Sequence, residues 1–81
     1  MMKVKHKLQI YGKCPVDGAN DNYTLVVKTR KILKVEDILA AVSGLKWPLF
    51  QEEVTQILAD ELGCNVRTVG YHSGIKTTCE V

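Results

Sequence analysis

Residues 3–11 alternate without a break. Val4, His6, Leu8 and Ile10 fall on one side, and Lys3, Lys5, Lys7, Gln9 and Tyr11 on the other. A period of two marks a strand with one buried face. The rest of the chain must therefore supply partner strands and a layer to cover that face. Residues 23–31 (YTLVVKTRK) are rich in β-branched and aromatic types and read as a second strand. Between the two, residues 12–22 (GKCPVDGANDN) are dense in Gly, Pro, Asn and Asp, which predicts a loop. Asn65 to Tyr71 reads as a third strand and His72-Ser73-Gly74 as a tight turn. Ile75 to Val81 reads as a fourth strand, with Ile75, Thr77, Cys79 and Val81 on one face.

The covering layer is helical. Val35 to Val42 puts Val35, Ile38, Leu39 and Val42 on one side, with Glu36 and Asp37 in the first turn, where the helix dipole favours acids. Ser43-Gly44 ends that helix. After Pro48 a longer one runs from about Phe50 to Leu62, with apolar positions Phe50, Val54, Ile57, Leu58 and Leu62 and a ready cap at Gly63. The predicted order is ββααββ, an α+β fold. Its natural packing is a four-stranded antiparallel sheet with both helices on one face. The other face must meet solvent or another subunit.

At 81 residues and 9.0 kDa, one domain spanning 1–81 is expected, with no room for a cleft between two domains. Hydrophobic residues at 46% and charged residues at 25% are globular proportions. No apolar run approaches the roughly 20 residues of a membrane helix, and the first residues lack a signal peptide's apolar core. A soluble, cytoplasmic protein without a membrane partner is the expectation. A net charge of +2 is too small to imply nucleic acid by itself. Cys14, Cys64 and Cys79 make an odd count, which argues for free thiols in a reducing compartment.

With these elements in place, the chain resembles the tunnelling-fold (T-fold) superfamily. Within it, the chain looks most like the nitrile reductases and reductase-like (QueF-like) proteins of 7-cyano-7-deazaguanine chemistry. Cys14-Pro15-Val16-Asp17-Gly18-Ala19-Asn20-Asp21 matches that family's C-P-x-x-G-x-x-D; Phe50-Gln51-Glu52-Glu53 is similar to its F-H-E at a helix start; Val35-Glu36 matches its V-E. The resemblance implies a multi-subunit barrel of homo-oligomers with sites at subunit interfaces. It implies Cys14 as the nucleophile that forms a thioimide, and Asp21 as its acid/base partner. Glu52 is implied as the carboxylate that grips a guanine-like ring, and Glu36 as a second substrate contact. A soft thiolate suits a nitrile carbon. The nitrogen that gains charge needs a proton. A carboxylate's two oxygens match adjacent ring N–H donors.

Two departures redirect the resemblance. After Glu36 the family's reductases carry a lysine- and serine-rich NADPH segment; here the residues are Asp37-Ile38-Leu39-Ala40-Ala41. The histidine before the helix glutamate is Gln51 here. Both fit the shorter archaeal proteins, in which ammonia attacks the thioimide and a nitrile carried by tRNA becomes an amidine. No cofactor is then required, reduction of the thioimide by NADPH being the alternative although its motif is absent, and the substrate is a small guanine-like or pterin-like molecule or the base within tRNA. The Lys3, Lys5 and Lys7 stripe is the first place to look for phosphate contacts, although no stacking pair of aromatics is evident in the sequence.

Other readings of these residues stay open. His72, in the final turn, is a third candidate substrate contact. With Cys14, Cys64 or Cys79 it also invites the zinc site of a GTP- or pterin-processing T-fold enzyme, but no C-x-x-C or C-x-x-H spacing supports one. A non-catalytic purine- or pterin-binding T-fold is the remaining alternative. Cys64 and Cys79 read as buried thiols, and His6 as a satisfied core or interface histidine. On a helical wheel centred on Val54, Glu52 lies about 200° away. It should then point off its own sheet, to a pocket completed by another subunit.

Overall fold

The computed structural model describes residues 2–81. Six elements follow the predicted order: β1 (Val4–Lys13), β2 (Asn20–Thr29), α1 (Val35–Ser43), α2 (Gln51–Leu62), β3 (Asn65–His72) and β4 (Ile75–Glu80). The four strands form one antiparallel sheet in the order β1-β2-β3-β4. Among the described residues no helix is long and apolar enough to cross a membrane.

The alternation of β1 is realised as read. Ile10, Tyr23, Leu25, Val27 and Val66 point under the helices with Val54, Leu58 and Leu62, and together they form the core. Register aligns them in rows, Leu8 with Leu25 and Thr68, and Ile10 with Tyr23 and Gly70. Residues of β4 share that face but lie at the margin of the helix layer, where Gln51 of α2 reaches the Thr77 carbonyl. Ile75 and Val81 stay exposed, and Cys64 and Cys79 are only partly covered rather than buried.

Four local expectations need correction. The 12–22 loop is shorter, because Gly12 pairs with Asp21 and Lys13 with Asn20, leaving only Cys14–Ala19 as the turn. Gly12 does not break the strand. A Cβ there would lie 2.3 Å from the Trp47 ring, so glycine is what lets Trp47 lie against the sheet. In α1 the covered residues are Ile38 and Ala41, while Val35 and Leu39 remain half exposed. In α2 the inward stripe is Gln51, Val54, Thr55, Leu58, Ala59 and Leu62; Phe50 is the N-cap and is half exposed. Finally, His6 is not satisfied within the chain, for its buried Nε2 has no partner.

The faces of the sheet are electrically distinct. The helices carry Glu36, Asp37, Glu52, Glu53, Asp60 and Glu61 and no Lys or Arg. The uncovered sheet face carries Lys5, Lys7, Lys13, Lys28, Arg67 and Lys76 against the single acid Glu80. A net charge of +2 conceals this separation.

Candidate functional site

The Cys14 turn, the start of α2 and the β3–β4 turn meet at one end of the sheet. They enclose a cleft of about 530 Å³ to which Cys14, Asp17, Asp21, Gln51, Glu52 and His72 all contribute. That volume suits a small heterocycle. Glu52 therefore reaches the cleft within its own chain. The wheel angle correctly sent Glu52 off the stripe, but the first turn of α2 overhangs the end of the sheet, so off the stripe here means into the cleft. Glu36 is not brought there; it lies exposed in the first turn of α1.

The turn is closed by its own backbone. Cys14 N–H donates to the Ala19 carbonyl at 2.8 Å, and Gly18 N–H to the Cys14 carbonyl at 3.0 Å. Asp17 Oδ1 accepts from Ala19 N–H at 2.9 Å. That bond, followed by one from the Cys14 thiol, holds the Asp17 carboxyl below the usual carboxylate range. Asp17, four residues nearer in sequence than Asp21, is thus the carboxylate whose ionised form the Cys14 thiol favours.

Asp21 faces other partners. Tyr23 Oη donates to its Oδ2 at 3.2 Å, and His72 Nδ1 stands 3.6 Å from its Oδ1. Burial and the Asp21 charge push the Tyr23 phenol far above its ordinary value, with smaller contributions from Cys14 and Glu52. Tyr23 thus remains a donor at any physiological pH. Trp47 stacks on it at 6.5 Å between ring centroids, and the His72 ring tilts against it at 5.9 Å.

Beneath the cleft lies a buried polar cluster that periodicity did not reveal. Gln51, only 2% exposed, donates through Nε2 to the Thr68 carbonyl at 3.2 Å, Thr68 Oγ1 at 3.2 Å and the Thr77 carbonyl at 3.0 Å. Its Oε1 lies 3.1 Å from His72 Nε2. Thr55 Oγ1 bonds Thr68 Oγ1 at 2.6 Å and the Gln51 carbonyl at 2.8 Å. Buried polar atoms this fully partnered fix their neighbours' orientation. Cys79 borders the cluster. Burial and the Glu52 charge raise its thiol, against hydrogen bonds with Thr55 and Thr68 that lower it.

No protein-family model and no curated protein matches the chain. Among solved structures it is similar to the crystal structure of the archaeosine synthase QueF-Like in the apo form. The TM-score is 0.86 over 98% of this chain and 90% of that one, at 18% identity. The chain shares the T-fold of that structure. In this T-fold the cleft lining contains neither Lys nor Arg, and the segment after Glu36 is acidic and apolar. These residues do not fit the phosphates of a dinucleotide. Among the described residues no three His, Cys, Asp or Glu side chains gather as a metal site would require.

Proposed function

We propose that this T-fold protein modifies a 7-cyano-7-deazaguanine base, Cys14 adding to the nitrile carbon to give a thioimide. The observation that supports this most is the convergence of Cys14, Asp21, Glu52 and His72 on one cleft from four separate segments. Glu52 accepts the adjacent N–H donors of the ring, and the buried aromatic wall of Tyr23 packs against its face. As the S–C bond forms, C≡N becomes C=N and the nitrogen takes a proton. A nitrogen donor then adds, the thiolate leaves, and an amidine remains. No electrons are transferred, which agrees with a cleft ill suited to a dinucleotide.

The base is presented in tRNA. Six basic side chains and the exposed rings of Tyr11 and Tyr71 share the open sheet face. Tyr71 also borders the cleft. Phosphate-binding charge beside exposed rings is the pattern of an RNA-binding sheet. The oligomer belongs to the same reading. β1 and β4 are unpaired sheet edges within the chain, and a second copy is the means by which Glu36 could reach a substrate.

Mass spectrometry of the protein incubated with 7-cyano-7-deazaguanine, free and in tRNA, tests the proposal. A covalent adduct is expected, and Cys14→Ala should abolish it. An unmodified wild-type mass with ligand bound would refute the thioimide step.

A further inference from the structure

Hydrogen-bond accounting at His72 leads beyond this reading. The Gln51 amide has one sensible orientation. Two backbone carbonyls, of Thr68 and Thr77, lie within 3.2 Å of one of its terminal atoms. Carbonyls only accept, so that atom is the NH2 nitrogen. The oxygen must then face His72 Nε2 at 3.1 Å. An amide oxygen also only accepts, so Nε2 carries a hydrogen. In a neutral imidazole the other nitrogen, Nδ1, is then a bare acceptor. What it faces is Asp21 Oδ1 at 3.6 Å, another acceptor. Asp21 cannot turn away easily, because its Oδ2 holds the Tyr23 hydroxyl at 3.2 Å. At this separation the two form no hydrogen bond, but a proton taken up on Nδ1 would face the Asp21 carboxylate directly as an ion pair.

We infer that Gln51 locks His72 as the Nε2–H tautomer, so that Nδ1, beside Asp21, is the nitrogen that takes up and gives up a proton at the mouth of the cleft. The titratable groups facing this pair are Asp21 and Tyr23 from β2, Glu52 from α2, and Cys14 and Asp17 from the turn. From β4 the pair meets Ile75 and Thr77, neither titratable. The choice of Nδ1 as the exchanging nitrogen follows from the geometry alone. The proton's destination rests on the proposed function, in which it is delivered to the nitrile nitrogen as the S–C bond forms. The proton leaving Cys14 Sγ then replaces it. Thiol plus nitrile gives thioimide with no net proton consumed, so the sum balances. The pair acts as the proton donor, and Gln51 is the positioning residue behind it.

The test is nitrogen-detected NMR of the free protein labelled at its imidazole nitrogens, with His6→Gln used to tell the two rings apart. Above its titration, His72 should report the Nε2–H tautomer, and Gln51→Leu should abolish that preference. An Nδ1–H ring in the wild type, or no change in Gln51→Leu, overturns the inference. If Gln51→Leu does not fold, the wild-type tautomer still decides. In adduct formation, His72→Gln should slow the step by roughly 10²-fold and remove its limb from the pH profile. A rate within threefold of wild type with an unchanged profile overturns the proton's destination. Absence of any adduct in the wild type refutes the proposed function and leaves the NMR result to judge the locked tautomer.

Discussion

The two faces of this sheet are made of the same strands, yet they handle polar groups in opposite ways. The covered face buries Gln51, Thr55 and Thr68, each exposed by 2% or less, and partners them with one another and with backbone carbonyls. The open face carries six cations and leaves them to solvent or to a partner. A buried polar group without a partner costs about 1–3 kcal/mol, so the covered face must choose geometry, and that geometry becomes the site. The open face escapes that cost for its exposed side chains, Asn65 Oδ1 and Arg67 Nε being buried without a partner, and is free to carry charge. Stability and positional precision belong to one face and electrostatics to the other.

The sharpest way to test that division is to remove packing from each face in turn. Leu58 is fully buried on the helix layer against the sheet. Leu58→Ala should cost about 2–5 kcal/mol, which for a domain of this size lowers the Tm by roughly 10 °C or more. Thr78→Ala, on the exposed face of β4, should stay within about 0.5 kcal/mol. Thermal or urea unfolding measures both. Similar losses from the two would mean that the open face is itself part of a stabilising interface.

The same division explains what could be read in the sequence. Strand order and the covered face of β1 were legible because burying one face of a strand forces a period of two. The helix stripe was legible only in part. Counting hydrophobic residues selects Phe50, Val54, Ile57, Leu58 and Leu62, of which Phe50 and Ile57 stay exposed, whereas the observed inward positions 51, 54, 55, 58, 59 and 62 follow helical spacing more regularly. Gln51 and Thr55 interrupt the hydrophobicity but not the geometry, and two polar residues at inward positions were the available sign of a buried cluster. Gly12, dense company for turn residues, reads as a breaker until Trp47 is seen to occupy the space above it. Of the cleft, Cys14 and Asp21 were visible by spacing. The approach of Asp17 to Cys14 depends on how the turn closes, and the bonds from Gln51 to Thr68 and Thr77 join residues 17 and 26 positions apart, which no local pattern records.

Alkaline pH should separate the faces by a smaller amount. The Tyr23 phenol is buried beside the Asp21 charge and titrates far higher in the fold than its unfolded value of 10. A raised value means that the fold favours the protonated form. The stability this contributes is complete below pH 10 and is lost as the pH rises above it, at about 1.4 kcal/mol per pH unit. Tyr23→Phe should flatten that portion of the stability curve, while costing about 1.5 kcal/mol at neutral pH through the lost bond to a charged acceptor. Tyr71→Phe, on the open face and 66% exposed, should leave the curve unchanged. An equal flattening in both would show that the alkaline loss does not arise in the core.

The smallest effect on stability should accompany a clear effect on binding. Lys28 pairs across the sheet with Lys5, and Lys7 lies two residues on in β1. Lys28→Gln removes one charge from this cluster without touching the core and should change stability by no more than about 0.5 kcal/mol. Relief of like-charge repulsion could even make the change favourable. If the face receives RNA phosphates, the same substitution should weaken tRNA binding and reduce the slope of log affinity against log salt by about 0.7–0.9. It should leave adduct formation with the free base untouched, since the cleft lies at the sheet end and draws none of its lining from Lys28. Titration of the wild type and Lys28→Gln at several salt concentrations decides it. An unchanged slope would remove phosphate binding from this face and leave its positive charge to an interface between copies.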